Sequence, residues 1–230
     1  MFDTLMMIRK NHDFYSLSLM RMYMFLSKNG VNVPFDKFQA AYNKARDELY
    51  AKADPNLEEP HFNVRTSLTL KMLGYNYDIS SPLVVSAGAE FCDEFMKYVT
   101  IDKDTEPLLR SLHGRYKLGI VSNYAIPECV YKLLKTHGLD ELFDAVVVSA
   151  AVNKRKPSPE IFNRTLNALG VSATETVFVG DTMDADIEGA TAVGMKAVYI
   201  KRREEKQIEH VIPDVTIKNL TELPSVLNTL

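Results

Sequence analysis

From about residue 105 to the C-terminus, short apolar runs alternate with helix-spaced segments, and that regularity restricts the chain to few architectures. Residues 117–122, 145–148, 176–179, 197–200 and 213–217 read as strands. Residues 107–112, 127–136, 159–169, 185–193 and 220–227 read as helices. Strands joined through helices pair in parallel, because each crossover must return the chain to the edge where the last strand began. The helices then cover both faces. The expected fold class is α/β, with a Rossmann-like parallel sheet and helices on both faces.

The first part of the chain follows a different pattern. Between residues 11 and 100, β-branched apolar runs are scarce. Residues 13–28 are rich in Leu, Met, Phe and Tyr and stop at Gly30. Residues 36–52 carry Phe38, Ala41, Tyr42 and Ala45 at helical spacing and close at Pro55. Residues 64–73 and 82–98 complete about four helices. The expected organisation is an α/β core from residues 1–10 and 101–230, with residues 11–100 as an inserted all-helical cap. Met20, Met22, Met24 and Phe25 read as packing inside that cap rather than as a substrate box.

Composition narrows the function classes. The apolar fraction of 46% over 230 residues supports a sizeable core. A net charge of −3 gives no bias towards nucleic acid or anionic membranes. Lys201-Arg202-Arg203 runs directly into Glu204-Glu205 and reads as a mixed surface turn. Cys92 and Cys129 fit no metal or redox spacing and read as reduced thiols in or near the core of a cytoplasmic protein. No signal peptide is visible, and the longest apolar stretch, residues 20–26, is too short to span a bilayer. His113, His137 and His210 read as loop or helix-end residues.

The chemistry concentrates at strand ends, where open α/β sheets keep their ligands. Val177-Phe178-Val179-Gly180 runs into Asp181-Thr182-Met183-Asp184-Ala185-Asp186. Carboxylates that close repel one another unless a cation holds them. Ser122-Asn123 follows another strand, and Lys156 follows a third. A hydroxyl, a neighbouring amide, an ammonium and paired carboxylates around one cleft suit phosphoryl chemistry with Mg²⁺, which takes hard oxygen ligands and keeps waters. Each residue also has a plainer reading: Ser122 and Asp181 as helix caps, Lys156 as a solvated neighbour of Lys154 and Arg155, Asp186 as a surface helix residue.

Taken together, Ile120-Val121-Ser122-Asn123, Lys156-Pro157-Ser158-Pro159-Glu160-Ile161-Phe162, Val179-Gly180-Asp181, Asp186-Ile187-Glu188-Gly189-Ala190 and Ala192-Val193-Gly194-Met195 resemble the motifs of the haloacid dehalogenase (HAD) hydrolase superfamily, in its helical-cap subclass. The resemblance covers nearly the whole chain. It implies Ser122, with Asn123, as the phosphoryl-binding pair and Lys156 as the charge-stabilising lysine. It implies Asp181 as an Mg²⁺ ligand and Asp186 as the supporting second acid. Asp184 falls on a variable position. The implied activity is Mg²⁺-dependent hydrolysis of a small phosphorylated metabolite through an aspartyl-phosphate, with no nucleic-acid or membrane partner.

The family's first motif is matched only in part. Asp3-Thr4-Leu5 aligns with its turn residue, Thr and Leu. Phe2 then falls on the general-acid position and Met1 on a variable one, so the nucleophilic Asp belongs immediately before Met1. The expectation is that Met1 is an internal methionine. In the family the first strand is central in the sheet, so without it two others would carry unpaired backbone groups, each costing roughly 1–3 kcal/mol if dry, against a typical domain stability of about 5–15 kcal/mol. Two rival readings follow. An aromatic at the acid position suits a 2-haloacid dehalogenase, for which Arg9, Arg21 and Arg65 are candidate carboxylate binders. A non-catalytic protein that keeps the fold is the other.

Overall fold

The computed structural model describes residues 1–9, 13–202 and 211–230; the expectations for Arg203, Glu204, Glu205 and His210 lie outside them. The C-terminal part alternates as its sequence pattern requires. α5 (Thr105–Leu112) leads to β3 (Gly119–Ser122), α6 (Pro127–Thr136), β4 (Ala145–Val148) and the short α7 (Ser149–Val152). Then come α8 (Pro159–Leu169), β5 (Val177–Gly180), α9 (Glu188–Ala192), β6 (Lys196–Ile200), β7 (Val215–Ile217) and α10 (Leu223–Leu227). Local chemistry sets the bounds of α8. Ser158 caps it by accepting from the Glu160 N–H, Pro159 opens it, and Gly170 closes it at φ 67°, a conformation that glycine adopts freely.

All pairings in this part are parallel. They form two ladders, β3–β4 and β5–β6–β7. Among the described residues no ladder joins β3 to β5; a cavity of about 600 Å³ lies between them, lined by apolar side chains and by charged ones such as Arg115, Lys117 and Glu175.

The N-terminal part is helical, as its pattern indicates. Its elements are α1 (Phe14–Lys28), α2 (Phe35–Ala53), α3 (Phe62–Met72) and α4 (Pro82–Phe95). Asp13 caps α1 through the Ser16 N–H, and Ser81 caps α4 ahead of Pro82. Two strands were not legible beforehand. β1 (Met6–Ile8) and β2 (Val99–Ile101) pair antiparallel across the two ends of the helical segment. At three residues each, they are too short for alternation to register. Their pairing brings the ends of the helical segment side by side, so the four helices form one excursion from the α/β part.

That excursion shares its interior with the rest of the protein. One buried cluster runs from Leu19, Phe38 and Phe91 in the helices to Ile120, Val130 and Leu133 in the α/β part. Polar ties flank it: Lys132 Nζ meets Asp93 at 2.6 Å and Arg155 meets Asp54 at 2.6 Å. Cys92 on α4 and Cys129 on α6 are both free and buried, and the fold brings the two thiols into hydrogen-bond contact. That contact and burial push the Cys129 thiol well above its ordinary value. Arg202 is turned inwards, whereas its neighbour Lys201 is exposed. It is nearly buried, paired with Asp102 at 2.8 Å, and donates to the Thr4 carbonyl at 2.9 Å. His113 and His137 end α5 and α6, as read from the sequence. No helix among the described residues is long and apolar enough to cross a membrane.

Candidate active site at the strand ends

Four chain segments meet beyond the C-terminal ends of β3 and β5, around a small polar pocket of about 170 Å³. Its walls include Phe2, Ser122, Asn123, Lys156, Asp181 and Asp186. The fold therefore gathers every residue that the strand-end argument singled out. The plainer readings do not survive burial: Ser122 is 1% exposed, Lys156 8%, Asp181 4% and Asp186 3%. Nor does either proposed cap form, since Ile126 caps α6 and Thr182 precedes the turn after β5.

Lys156 is the centre of the arrangement. Its ammonium donates to Asp186 Oδ1 at 2.5 Å and to the Val121 carbonyl at 3.2 Å. Its backbone is clamped by Asn123, whose Oδ1 accepts from the Lys156 N–H at 2.8 Å and whose Nδ2 donates to the Lys156 carbonyl at 3.0 Å. The Asn123 amide thus has protein partners at both ends. Its position locks the 153–158 loop to the end of β3.

Asp186 sits on the π-helical turn Met183–Ile187, which follows β5. Beyond the Lys156 bond, its Oδ2 accepts from the N–H groups of Asp181 and Thr182, both at 3.1 Å. Burial alone would raise this carboxyl, but the Lys156 charge and its hydrogen bond, with the backbone donors, hold it below its ordinary value. Gly180 makes the fold-back possible. A Cβ there would lie 2.4 Å from Asp186 Cβ and Cγ. Only glycine lets the carboxylate tuck beneath its own loop.

Asp181 is held by a residue whose role the sequence did not announce. Thr4 Oγ1 donates to Asp181 Oδ1 at 2.8 Å across 177 positions of chain. The signal was present in Asp3-Thr4-Leu5, but only as a motif register without a task for the threonine. Asp3 itself takes φ 54°, the left-handed turn conformation, and Leu5 donates to the Met1 carbonyl at 2.9 Å. Met1 is buried and lines the pocket beside Asp3, Lys156, Asp181 and Asp186. Phe2 packs against Phe95 of α4 and against Tyr124, with ring centroids 5.6 and 4.9 Å apart. It closes the pocket towards the helical segment with a group that cannot donate a proton.

None of the three arginines considered for a substrate carboxylate lines this pocket. Arg21 meets Glu90 and Glu94 on α4, and Arg65 donates to the hydroxyls of Tyr15 and Tyr42. Arg9 is exposed beside β1.

The residues present allow an Mg²⁺ ion on modest terms. Asp181 offers a hard oxygen at the pocket wall, and Mg²⁺ is commonly held by one or two carboxylates with waters and substrate phosphate completing the shell. Asp186 has both oxygens engaged by Lys156 and backbone amides. Among the described residues, no group of three or more His, Cys, Asp or Glu side chains is arranged as a ready-made metal cage.

Comparison with known proteins places this geometry. A family model described as haloacid dehalogenase-like hydrolase matches residues 32–200. The chain is 30% identical to a glyceraldehyde 3-phosphate phosphatase of Methanopyrus kandleri, over 81% of this chain and 82% of that protein. It is 30% identical to the protein of the same name from Pyrococcus furiosus, over 88% and 80% respectively. Among solved structures, a HAD phosphatase from Thermococcus onnurineus superposes with a TM-score of 0.62 at 28% identity, covering 97% of this chain and 93% of that one. A 2-haloacid dehalogenase from Pseudomonas syringae gives a TM-score of 0.76 at 24% identity over 99% and 96%, a likeness of fold alone.

Proposed function

The chain belongs to the haloacid dehalogenase-like hydrolase family and is a hydrolase; from that premise we propose that it removes phosphate from a small phosphorylated metabolite with the help of Mg²⁺. The observation that carries the proposal is the buried Lys156–Asp186 pair facing Ser122 and Asp181 across one polar pocket.

In this reading the Ser122 hydroxyl donates a hydrogen bond to a phosphoryl oxygen. Lys156 supplies positive charge where negative charge accumulates in the transition state, and it is worth more there than in water because the lysine is buried. Asp186 keeps the ammonium aimed, and Asn123 fixes the loop that carries it. Asp181 holds the metal, oriented by Thr4. Bound Mg²⁺ would neutralise charge on the phosphoryl group. The resemblance calls for a carboxylate nucleophile in the motif that ends in Asp3-Thr4-Leu5. That carboxylate would form an aspartyl-phosphate that water then hydrolyses. The helical cap, residues 11–100, limits access of bulk water to the pocket. Specificity belongs to the same segment.

The test is phosphate release from a panel of small phosphate esters, with Mg²⁺ and with EDTA, using the chain carrying an Asp ahead of Met1. The panel includes glyceraldehyde 3-phosphate because two relatives bear that name. Release that needs both the Asp and Mg²⁺ supports the reading; no release from any ester ends it. Phe2 at the pocket wall favours one rival, carbon–halogen hydrolysis, which needs no general acid. Halide release from 2-haloacids that persists in EDTA would establish that rival instead.

A further inference from the structure

The two cysteines are nucleophilic side chains that the chemistry above leaves unused. Cys92 stands in α4 of the helical segment, and Cys129 stands in the first turn of α6 of the α/β part. Their spacing in the sequence gives no sign of a pair; they meet because α4 packs against α6. Both thiols are free, buried and in hydrogen-bond contact. They form a reduced pair across the seam between the two parts of the protein. Thiols in such contact are already neighbours, and a bond between them needs a further approach to about 2.0 Å. Cys129 also contacts Tyr124, whose ring packs against Phe2 of the pocket wall and Phe95 of α4. The pair therefore lies one side chain behind the pocket.

The seam is shallow at this point. Asp93 follows Cys92, and Lys132 stands one turn beyond Cys129. These two form an ion pair at 2.6 Å, with 36% and 54% of their side-chain surface in water. An ion pair this exposed holds weakly. Cys92 keeps 4% exposure and Cys129 none, so Cys92 is the thiol that a brief parting of the seam uncovers first. The Lys132 charge acts on both sulfurs, and a neighbouring ammonium favours the attacking thiolate. With the seam closed, contact with Cys92 and burial raise the Cys129 thiol, which keeps the pair unreactive.

We propose that Cys92 and Cys129 form an oxidation site, which a small organic disulfide converts into an intrachain disulfide that fastens the helical segment to the α/β part. The step balances as two thiol–disulfide exchanges. With the seam parted, Cys92 loses its proton to water and attacks one sulfur of the reagent RS–SR. A Cys92–S–S–R bond forms, the reagent's S–S bond breaks, and RS⁻ leaves. On closing, the Cys129 thiolate attacks the Cys92 sulfur and expels the second RS⁻. Each RS⁻ takes up a proton, so two protein thiols are oxidised and one RS–SR is reduced to two RSH. The chain itself joins the helical segment to the α/β part at β1 and β2. Farther along the seam, the Phe62 N–H donates to the Ala125 carbonyl and the Arg155 N–H to the Leu57 carbonyl, both at 2.8 Å. The new bond adds a third covalent tie, and these two amides report whether the seam still opens.

The test compares the 230-residue chain before and after exposure to oxidised glutathione, with Cys92→Ala and Cys129→Ala as controls. The expected product has lost two hydrogens by intact mass, and its non-reducing digest joins the peptides that hold Cys92 and Cys129. Its Tm should rise by about 5 °C or more. Amide exchange at Phe62 and Arg155 should slow at least about tenfold. Dithiothreitol should reverse all of this, and neither variant should show the loss of two hydrogens or the slowed exchange. The main comparison is one protein in two redox states, so a variant that folds poorly leaves it intact. A folded protein that stays reduced while the urea-unfolded chain oxidises would overturn the site. So would glutathione retained on one cysteine, or a disulfide between two copies. A Cys92–Cys129 bond with unchanged exchange at Phe62 and Arg155 would overturn the fastening. No phosphate ester or metal is used, so a failed phosphatase screen leaves the result readable.

Discussion

Around Lys156 and Asp186, polar groups that sit apart in sequence are tied together at 2.5 to 3.2 Å, and nearly all of this lies out of water. Between α1 and α4 the interior is aliphatic and aromatic, and charges meet only at the rim, where Arg21 keeps about a third of its side-chain surface. The two regions are stabilised by different physics. The strand-end network depends on each partner being present, because a buried charge without its counter-charge is costly. The α1–α4 seam depends on apolar area, so its single rim contacts matter little. Equal-sized chemical changes in the two regions therefore have very unequal effects.

The largest effect is expected from Lys156→Ala. Removing one member of a buried ion pair typically costs about 3–5 kcal/mol, because the other is left charged and dry. Urea unfolding of the variant should show a loss in that range, and a loss below about 1 kcal/mol would mean that water already reaches Asp186. The pair also has a pH signature. Asp186 is held below its ordinary 3.8, so the unfolded chain binds a proton that the folded protein refuses. Its contribution is present above that value and is lost as pH falls through the folded pKa. The stability gap between the wild type and Asp186→Asn should therefore be widest near neutrality and close in acid. A gap that stays constant with pH would assign the loss to packing rather than charge.

These residues also show what the sequence could reveal. Lys156, Asp181 and Asp186 were legible because strand ends converge in a parallel sheet, so polar residues just past each strand can be placed together without coordinates. Direction was legible; partnership was not. Asn123 stands beside Ser122 in the sequence, which suggests a substrate group, but its amide is engaged on both sides by the Lys156 backbone. Thr4 and Asp181 are 177 positions apart, and nothing local in either segment announces the bond. The helices of residues 11–100 were readable from periodicity. The strands that bracket them were not, because β1 and β2 are each three residues long and gain their structure only from one another.

A smaller loss is expected from Gly180→Ala. The added Cβ would stand 2.4 Å from Asp186, whose position is fixed by Lys156 and two backbone donors, so the loop must move. Overpacking of this kind costs about 1–3 kcal/mol. Urea unfolding together with phosphate release tests it; stability and turnover both unchanged would show that the π-turn yields without moving the carboxylate. Thr4→Val comes next. It keeps the shape of the side chain but removes the donor to Asp181, at about 1 kcal/mol. If Thr4 orients the metal ligand, the Mg²⁺ concentration giving half-maximal activity should rise, while Lys156-dependent stability stays intact. A variant with unchanged Mg²⁺ dependence would reduce Thr4 to a packing role.

The smallest effect sharpens the contrast from the other side. Arg21→Ala removes contacts to Glu90 at 2.6 Å and Glu94 at 3.4 Å, and a longer approach to Asp93 at 3.9 Å, a larger set of ion pairs than Lys156 has. By contact number alone it would be the more damaging change. By exposure it should be mild: rim pairs contribute about 0–1 kcal/mol because water already solvates both partners. The wild-type advantage should shrink further as salt is raised, since charges this open to solvent are screened at moderate ionic strength. Urea unfolding of Arg21→Ala and Lys156→Ala at low and high salt puts both regions on one scale. A loss above about 2 kcal/mol for Arg21→Ala, insensitive to salt, would show that the α1–α4 seam is held by its charges after all.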